Sequence, residues 1–420
     1  MMSTETLVSE SRAPLAGLTV LDLTLALAGP YATFLLAGLG ARVIKIENPH
    51  SPDPCRQNPP YLGRDGVSLG RTRPDDVSVS ALNRLRGKYG VTLNLKQTGA
   101  RDVFGDLVRH ADIVVENFSA GTLDRLGIGF GFARTINPRV IYGSISGFGA
   151  TQTSGTGKAM DSIIQALSGL MMTSGEPADP PVRVGVPIAD LLAPVFAVVG
   201  ILAALRQREM TGVGQHVDVS MLGVLTSLVA AEPFDLLEAC GLSQRTGRIV
   251  PRLTPFGIYE SADGHVAICA PTEQFARGVF AAIGHPEFET DARFATRDAR
   301  VAHVAEMTAH IEAFTRTMTT VDLVPLLERF GVPAADVRSP ADAVRDPRVQ
   351  ARGETVPLDH PEFGRVADVI GMGLPITFSD ATAGFQRPAP SVGQDNALVY
   401  GEWLGYGLAG VEKLHADGII

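Results

Sequence analysis

Tryptophan occurs once and cysteine three times in the 420 residues, and aromatic residues make up only 6% of them. Cys55, Cys240 and Cys269 are far apart and odd in number, with no CxxC pair, which argues against a disulfide framework and against a zinc site. A reducing compartment is expected, and with it a cytoplasmic location. A basic surplus is missing as well. With 36 Lys and Arg against 45 Asp and Glu the formal charge is -9, whereas surfaces that bind nucleic acid or anionic membranes are basic overall. Neither is expected as a partner. The stretch Met1 to Pro14 puts glutamates and serines ahead of any apolar run, the wrong order for a secretory leader, and reads as a loose tail. The long apolar stretch around Ala193 to Leu205 is flanked by Asp190 and Arg206 and falls short of the roughly 20 residues of a membrane span. It is expected to be a buried core helix.

What is present is the composition of an α/β enzyme, 45% hydrophobic and 19% charged, in a chain longer than one compact core usually accommodates. An apolar β-type run, Leu18 to Leu23, is followed by a loop of small residues. Pro30 then stands at a first helical position, an apolar helix runs to Leu39, and a second strand spans Val43 to Ile46. The pattern recurs with strands at Val91 to Leu95, Asp112 to Glu116 and Val140 to Ile145, and with a helix from Gln97 to Arg109. Such alternation predicts a parallel sheet with helices on both faces. Asn48 to Ser80, rich in proline, glycine and aspartate, predicts a long loop. Helices are expected over Asp161 to Met171 and Asp190 to Arg208, then a strand over His216 to Ser220. Phe256 to Ser261 and His265 to Cys269 flank an Asp-Gly turn and predict a β-hairpin. The division expected is a large domain over residues 1–245, a small α+β domain over 246–350, and a segment 351–420 that returns to the large domain.

Several motifs invite function. Glu47 ends the second strand where a ribose-binding acid often lies, but no G-x-G-x-x-G precedes it, and Gly127, Gly129 and Gly131 follow a helix, as a C-terminal turn does. NAD is therefore not expected. Basic residues gather near strand ends: Arg84, Arg86, Lys88 and Lys96, then Arg125, then Lys158. Singly each is a surface charge; together at the mouth of a parallel sheet they suit the phosphates of a nucleotide-like cofactor. Asp190 precedes a strongly apolar helix. That is the place of a plain N-cap, and also of a carboxylate held beside N–H groups that stabilise an oxyanion.

A set of ordered segments runs through the chain: Pro14 to Asp22, Ala28-Gly29-Pro30, Gly40 to Glu47, Ala111 to Phe118, Asn137 to Tyr142, Ser146 to Gly149 and Gly214 to Met221. Together they resemble the family III CoA-transferases, the group that includes the formyl-CoA:oxalate and carnitine enzymes. The resemblance spans nearly the whole chain. It implies a Rossmann-like large domain with a smaller α+β domain, and a homodimer whose two chains interlock like linked rings. It implies that Asp190, closing the segment Gly185 to Asp190, is the covalent residue. By the same matching, coenzyme A would be bound by Ala26, Leu27, Ala28, Leu93 to Lys96, Asn117, Phe118, Arg125, Lys158 and Met160. No permanently held cofactor or metal is implied; coenzyme A enters as the acyl-CoA substrate, with small carboxylic acids as its exchange partners.

The chain departs from formyl-CoA transferases at Leu27, where they carry glutamine, and at Asn48, where they carry arginine. Their tetraglycine loop has no counterpart around Arg252 to Phe256. Formate and oxalate are therefore not the substrates expected, and dicarboxylates such as succinate are the donors the resemblance points to. The same superfamily holds α-methylacyl-CoA racemases, whose histidine base would stand just before Asp161. Met160 is there, and a thioether exchanges no proton at neutral pH. A protein that binds acyl-CoA without turning it over is the remaining alternative, and it has no need of a carboxylate at the thioester.

Overall fold

The computed structural model describes residues 12–150 and 159–420. Most of the expected N-terminal tail, and Lys158, lie outside them. The described residues form two units: one from residues 12–150, 159–168, 184–229 and 344–420, the other from Gly169–Arg183 and Ala230–Ala343. The reading by composition had placed the changes of domain at 245/246 and 350/351.

The first unit is α/β. Its strands are β1 (Thr19–Asp22), β2 (Arg42–Glu47), β3 (Lys88–Thr92), β4 (Ile113–Glu116), β5 (Ile141–Ser146) and β6 (His216–Ser220). They lie in the order β3-β2-β1-β4-β5-β6, every pair parallel. Val20 and Leu21 of β1 and Ile113, Val114 and Val115 of β4 are wholly buried, as continuous apolar runs are when helices cover both faces. The helices are α1 (Ala28–Gly38), α2 (Val79–Arg84), α3 (Ala100–Arg109), α4 (Thr122–Arg125), α5 (Phe130–Ile136), α6 (Asp161–Leu167), α7 (Ile188–Thr211) and α8 (Met221–Val229). After β3 the chain crosses to the far side of β1, so the order reverses between β1 and β4. Ligands of open parallel sheets bind at the carboxyl ends of the strands at such a reversal.

Two elements differ from expectation. The loop Asn48 to Ser80 contains a small antiparallel sheet in which Tyr61–Gly63 pairs with Gly66–Ser68 and with Val77–Ser78, strands too short to show a period. The third strand begins at Lys88, three residues before the expected Val91, because Lys88 is buried and its ammonium lies 2.9 Å from the Asp22 carboxylate. The edge of β3 is closed by the C-terminal segment. Asp395 Oδ2 accepts the Gly90 N–H at 2.8 Å, Asn396 Oδ1 accepts that of Thr92 at 2.9 Å, and Tyr400 Oη donates to the Thr92 carbonyl at 2.8 Å.

Helix α7 was expected to be a buried core helix and is only partly so. By length and composition it would cross a membrane, with mean hydropathy 2.4 over a window that is 44% buried. One side packs on α1, β5 and β6, and the buried Arg208 near its end pairs with Asp112 at 3.1 Å. Val195, Phe196 and Val199 are exposed on it.

The second unit holds an antiparallel sheet of β7 (Phe256–Glu260), β8 (His265–Cys269) and β9 (Ala334–Asp336). The hairpin closes where Glu260 faces His265, around Ala262-Asp263-Gly264. Against the sheet lie α9 (Glu273–Ala282), α10 (Val304–Thr315) and α11 (Thr320–Arg329), with Phe280, Met307 and Leu323 in the shared core.

Candidate active site

The site is built at the reversal between β1 and β4. The loop from Leu23 to Leu27 leaves β1 and enters α1 through Gly29, where a Cβ would stand 2.2 Å from that of Thr24, so only glycine fits. Asn117, just past β4, clamps this loop as a neighbouring strand would: its Oδ1 accepts the Leu25 N–H at 2.8 Å and its Nδ2 donates to the Leu25 carbonyl at 2.9 Å. Ala26 is the one non-glycine among the described residues with positive φ, 66°. A side chain in that region costs about 1–3 kcal/mol and persists only where the surroundings impose it. Two charged groups do so here. Asp53 Oδ1 accepts the Ala26 N–H at 2.9 Å, and Arg84 Nη1 donates to the Ala26 carbonyl at 3.0 Å.

Beneath the loop lies a buried ionic cluster. Lys88 Nζ lies 2.9 Å from Asp22 Oδ2, Lys45 Nζ lies 3.1 Å from Asp53 Oδ2, and the Thr24 and Thr33 hydroxyls donate to Asp22. Burial by itself raises the Asp22 carboxyl, but the two lysines and two hydroxyls outweigh it and hold it at about 2. Glu47, which stands where a ribose-binding acid would, is turned inward and pairs with Arg56 at 2.6 Å.

Asp190 is the third residue of α7, which starts at Ile188 with Pro187 as its N-cap. The simple capping role considered for Asp190 is therefore not the one it has. The residue that ties down this helix start is Asp161, buried at the head of α6. Its Oδ1 accepts the Ala189 N–H at 2.8 Å and its Oδ2 accepts Gln165 Nε2 at 2.7 Å, while Gln165 Oε1 accepts the Val184 N–H at 2.8 Å. Asp190 itself accepts no hydrogen bond among the described residues. Burial pushes its carboxyl up to about 6, the Asp161 charge adds to the rise, and the Arg84 guanidinium opposes it. A carboxylate in that condition is ionised near neutrality yet poorly solvated, which favours it as a nucleophile.

The other residues implied by the resemblance fall as follows. Ala26, Leu27, Ala28, Asn117 and Phe118 gather at the β1/β4 reversal; Phe118 packs on the core and its N–H donates to Glu116 Oε2 at 2.7 Å. The Leu93 side chain is in the core, so only its backbone faces outward chemistry, and its N–H donates to the Glu47 carbonyl at 2.8 Å. Lys96 is exposed beyond β3, and Arg125 is exposed on α4 with Nη2 3.0 Å from Thr122 Oγ1. Among the described residues no hydrogen bond or ion pair joins either to Asp190. Met160 is 75% exposed, at the N-cap of α6. Asp53, Asp161 and Gln165 were not singled out for this site by sequence, and Arg84 was named only among the basic residues suited to phosphates. The spacing of Asp161 and Gln165, four apart on one helix face, was the one local signal available.

Comparison with known proteins shows the family. The profile described as CoA-transferase family III matches residues 15–396. The succinate–glutarate CoA-transferase of Agrobacterium fabrum is 34% identical over 391 residues, covering 93% of this chain and 95% of its own. The acetyl-CoA:oxalate CoA-transferase of Acetobacter aceti is 35% identical over 404 residues, covering 95% and 98%. Among solved structures, a CAIB/BAIF family protein from Brucella suis superposes with a TM-score of 0.78 at 33% identity, over 93% of this chain and 99% of that one. The chain belongs to CoA-transferase family III. It is a CoA-transferase, and acyl-CoA is its substrate.

Proposed function

We propose that Asp190 carries CoA between two carboxylic acids as an aspartyl thioester. An Asp190 carboxylate oxygen attacks the carbonyl carbon of the donor acyl-CoA, the C–S bond breaks, and CoA thiolate leaves a mixed anhydride. The thiolate attacks Asp190 Cγ and expels the donor acid as its carboxylate. The acceptor carboxylate then attacks the aspartyl thioester, releasing thiolate and forming a second anhydride. Attack of the thiolate on the acceptor's acyl carbon yields the new acyl-CoA and restores the Asp190 carboxylate. No proton is gained or lost, and each step keeps the energy of the thioester. The observation that carries this reading is a carboxylate without a hydrogen-bond partner among the described residues, raised to about 6 mainly by burial, in the first turn of α7. Whether CoA becomes attached to Asp190 on incubation with a donor is the test.

The backbone of Ala26 to Ala28 and of Leu93 lines the path of the CoA, and Lys96, Arg125 and Lys158 meet its phosphates. Phe118 and Met160 complete that path, with Asn117 fixing the loop. Succinate, glutarate and oxalate, named in the relatives beside one acetyl donor, are dicarboxylic, and a dicarboxylic acid is the class proposed for at least one partner here. A racemase would need a second base beside Asp190. Position 160, where that base would stand, is Met160. An acyl-CoA carrier would gain nothing from a desolvated carboxylate.

The proposal extends to assembly and place. Helices α6, α7 and α8 pack on one another and leave Ile163, Leu167, Phe196, Val199 and Leu228 exposed, and a second copy of the chain is the occupant proposed for these apolar side chains. The cysteines are free, as the cytoplasm would keep them.

A further inference from the structure

The arginines that are buried or half-buried in the first unit have different partners. Arg56 is held by Glu47 and by the Pro390 carbonyl, and Arg208 by Asp112. Arg86 donates to the Met372 carbonyl and lies against the rings of Phe34 and Phe385. Arg84, the last residue of α2, is half-buried, and among the described residues its side chain makes a single hydrogen bond, to the Ala26 carbonyl at 3.0 Å. A guanidinium has five N–H donors, so most of those on Arg84 are not engaged by the described residues. No carboxylate forms an ion pair with it among the described residues, although Asp53 and Asp190 are close enough to act on its charge. A half-buried cation lacking a counter-ion is costly, and an anionic ligand removes the cost.

The place of that anion follows from Asp190. A carboxylate attacking the Asp190 carbonyl must come within bonding range of its Cγ. Asp190 is close enough to act on the Arg84 charge, yet no ion pair joins the two among the described residues, so a single acid can meet Asp190 with its near carboxylate and Arg84 with its far one. We propose that Arg84 binds the second carboxylate of a dicarboxylic acid and thereby selects diacids over monocarboxylic acids. This rests on the reading of Asp190 as the nucleophile. Two parallel N–H···O bonds from one guanidinium to one carboxylate supply both strength and direction. Since Arg84 also grips the Ala26 carbonyl, a diacid in this position is registered against the loop that approaches the thioester.

The test compares Arg84→Gln and Arg84→Lys with the parent, using four- and five-carbon diacids and the monocarboxylic acids of matching length. For Arg84→Gln the ratio of kcat/KM for diacids to that for the matching monocarboxylic acids falls roughly 30-fold, over and above any loss the two classes share through the Ala26 loop; Lys restores part of the diacid preference. Equal losses for both classes would assign Arg84 to holding the Ala26 loop alone and overturn the proposal, as would an unchanged diacid KM. Calorimetric binding of a diacid to the CoA-loaded protein keeps the two readings separate. It must weaken in Arg84→Gln whether or not Asp190 forms a thioester, so unaltered binding refutes the role of Arg84, while failure of transfer in the parent bears on Asp190 only.

Discussion

On the mechanism proposed, Asp190 has to be ionised to attack and poorly solvated to attack well, and a carboxyl raised to about 6 mainly by burial meets both needs. Transfer requires the carboxylate, so kcat/KM falls as pH drops through about 6, well above the range of an ordinary aspartate, and is flat above it on this account. Stability moves the other way. A carboxyl whose pKa is raised on folding holds its proton more tightly in the folded chain, so between about 6 and the usual aspartate range stability decreases as pH rises. Asp190→Asn removes that loss. Because solvent still reaches part of the side chain, the gain expected is about 1–2 kcal/mol, full above pH 6 and absent below the usual aspartate range, as read from urea unfolding at several pH values. Asp190 stood out in sequence because the segment that carries the resemblance, Gly185 to Asp190, is local, whereas the residues alone favoured a helix cap there. Arg84 was visible only as one basic residue among several, since the carbonyl it holds is 58 positions away.

At the scale of elements, the start of α7 is fixed by α6. Asp161 and Gln165 hold the backbone from Val184 to Ala189, so the direction of Asp190 depends on side chains more than twenty residues earlier. Asp161→Asn keeps an acceptor for the Ala189 N–H but sets an amide against Gln165 Nε2, for a loss of about 1–3 kcal/mol in urea unfolding. It also removes a negative charge beside Asp190. The acid limb of the rate profile therefore moves down, without reaching the ordinary aspartate value, because burial is the larger cause of the rise and remains. An unmoved limb would separate Asp161 from the electrostatics of the site. Periodicity located most of these elements within a few residues. It missed the true start of β3, since a buried Lys88 looks polar until its partner Asp22, 66 residues before it, is known. It missed the small sheet at Tyr61 because strands of two or three residues carry no period.

At the scale of the molecule, alternation of strand and helix was enough for a parallel sheet, but not for its order, which depends on which strands pair across long separations. The segment Gly169–Arg183 groups with the second unit although it lies between α6 and α7 of the first, and nothing in its composition marks that. The apolar side of α7 reads in sequence as core and is exposed in the single chain. A homodimer is predicted from it: light scattering after gel filtration should give twice the chain mass, and Val199→Glu should shift it toward the monomer. A parent protein that runs as a stable monomer would remove the second copy from the account.

The central claim is that CoA passes through Asp190. Intact-protein mass spectrometry after incubation with a panel of acyl-CoAs, followed by peptide mapping, tests it most directly. The account predicts a mass increase equal to CoA less water on the Asp190 peptide, reversed by addition of an acceptor acid and absent in Asp190→Asn. Transfer that proceeds at the parent rate in Asp190→Asn, or a CoA adduct found on another residue, would contradict it.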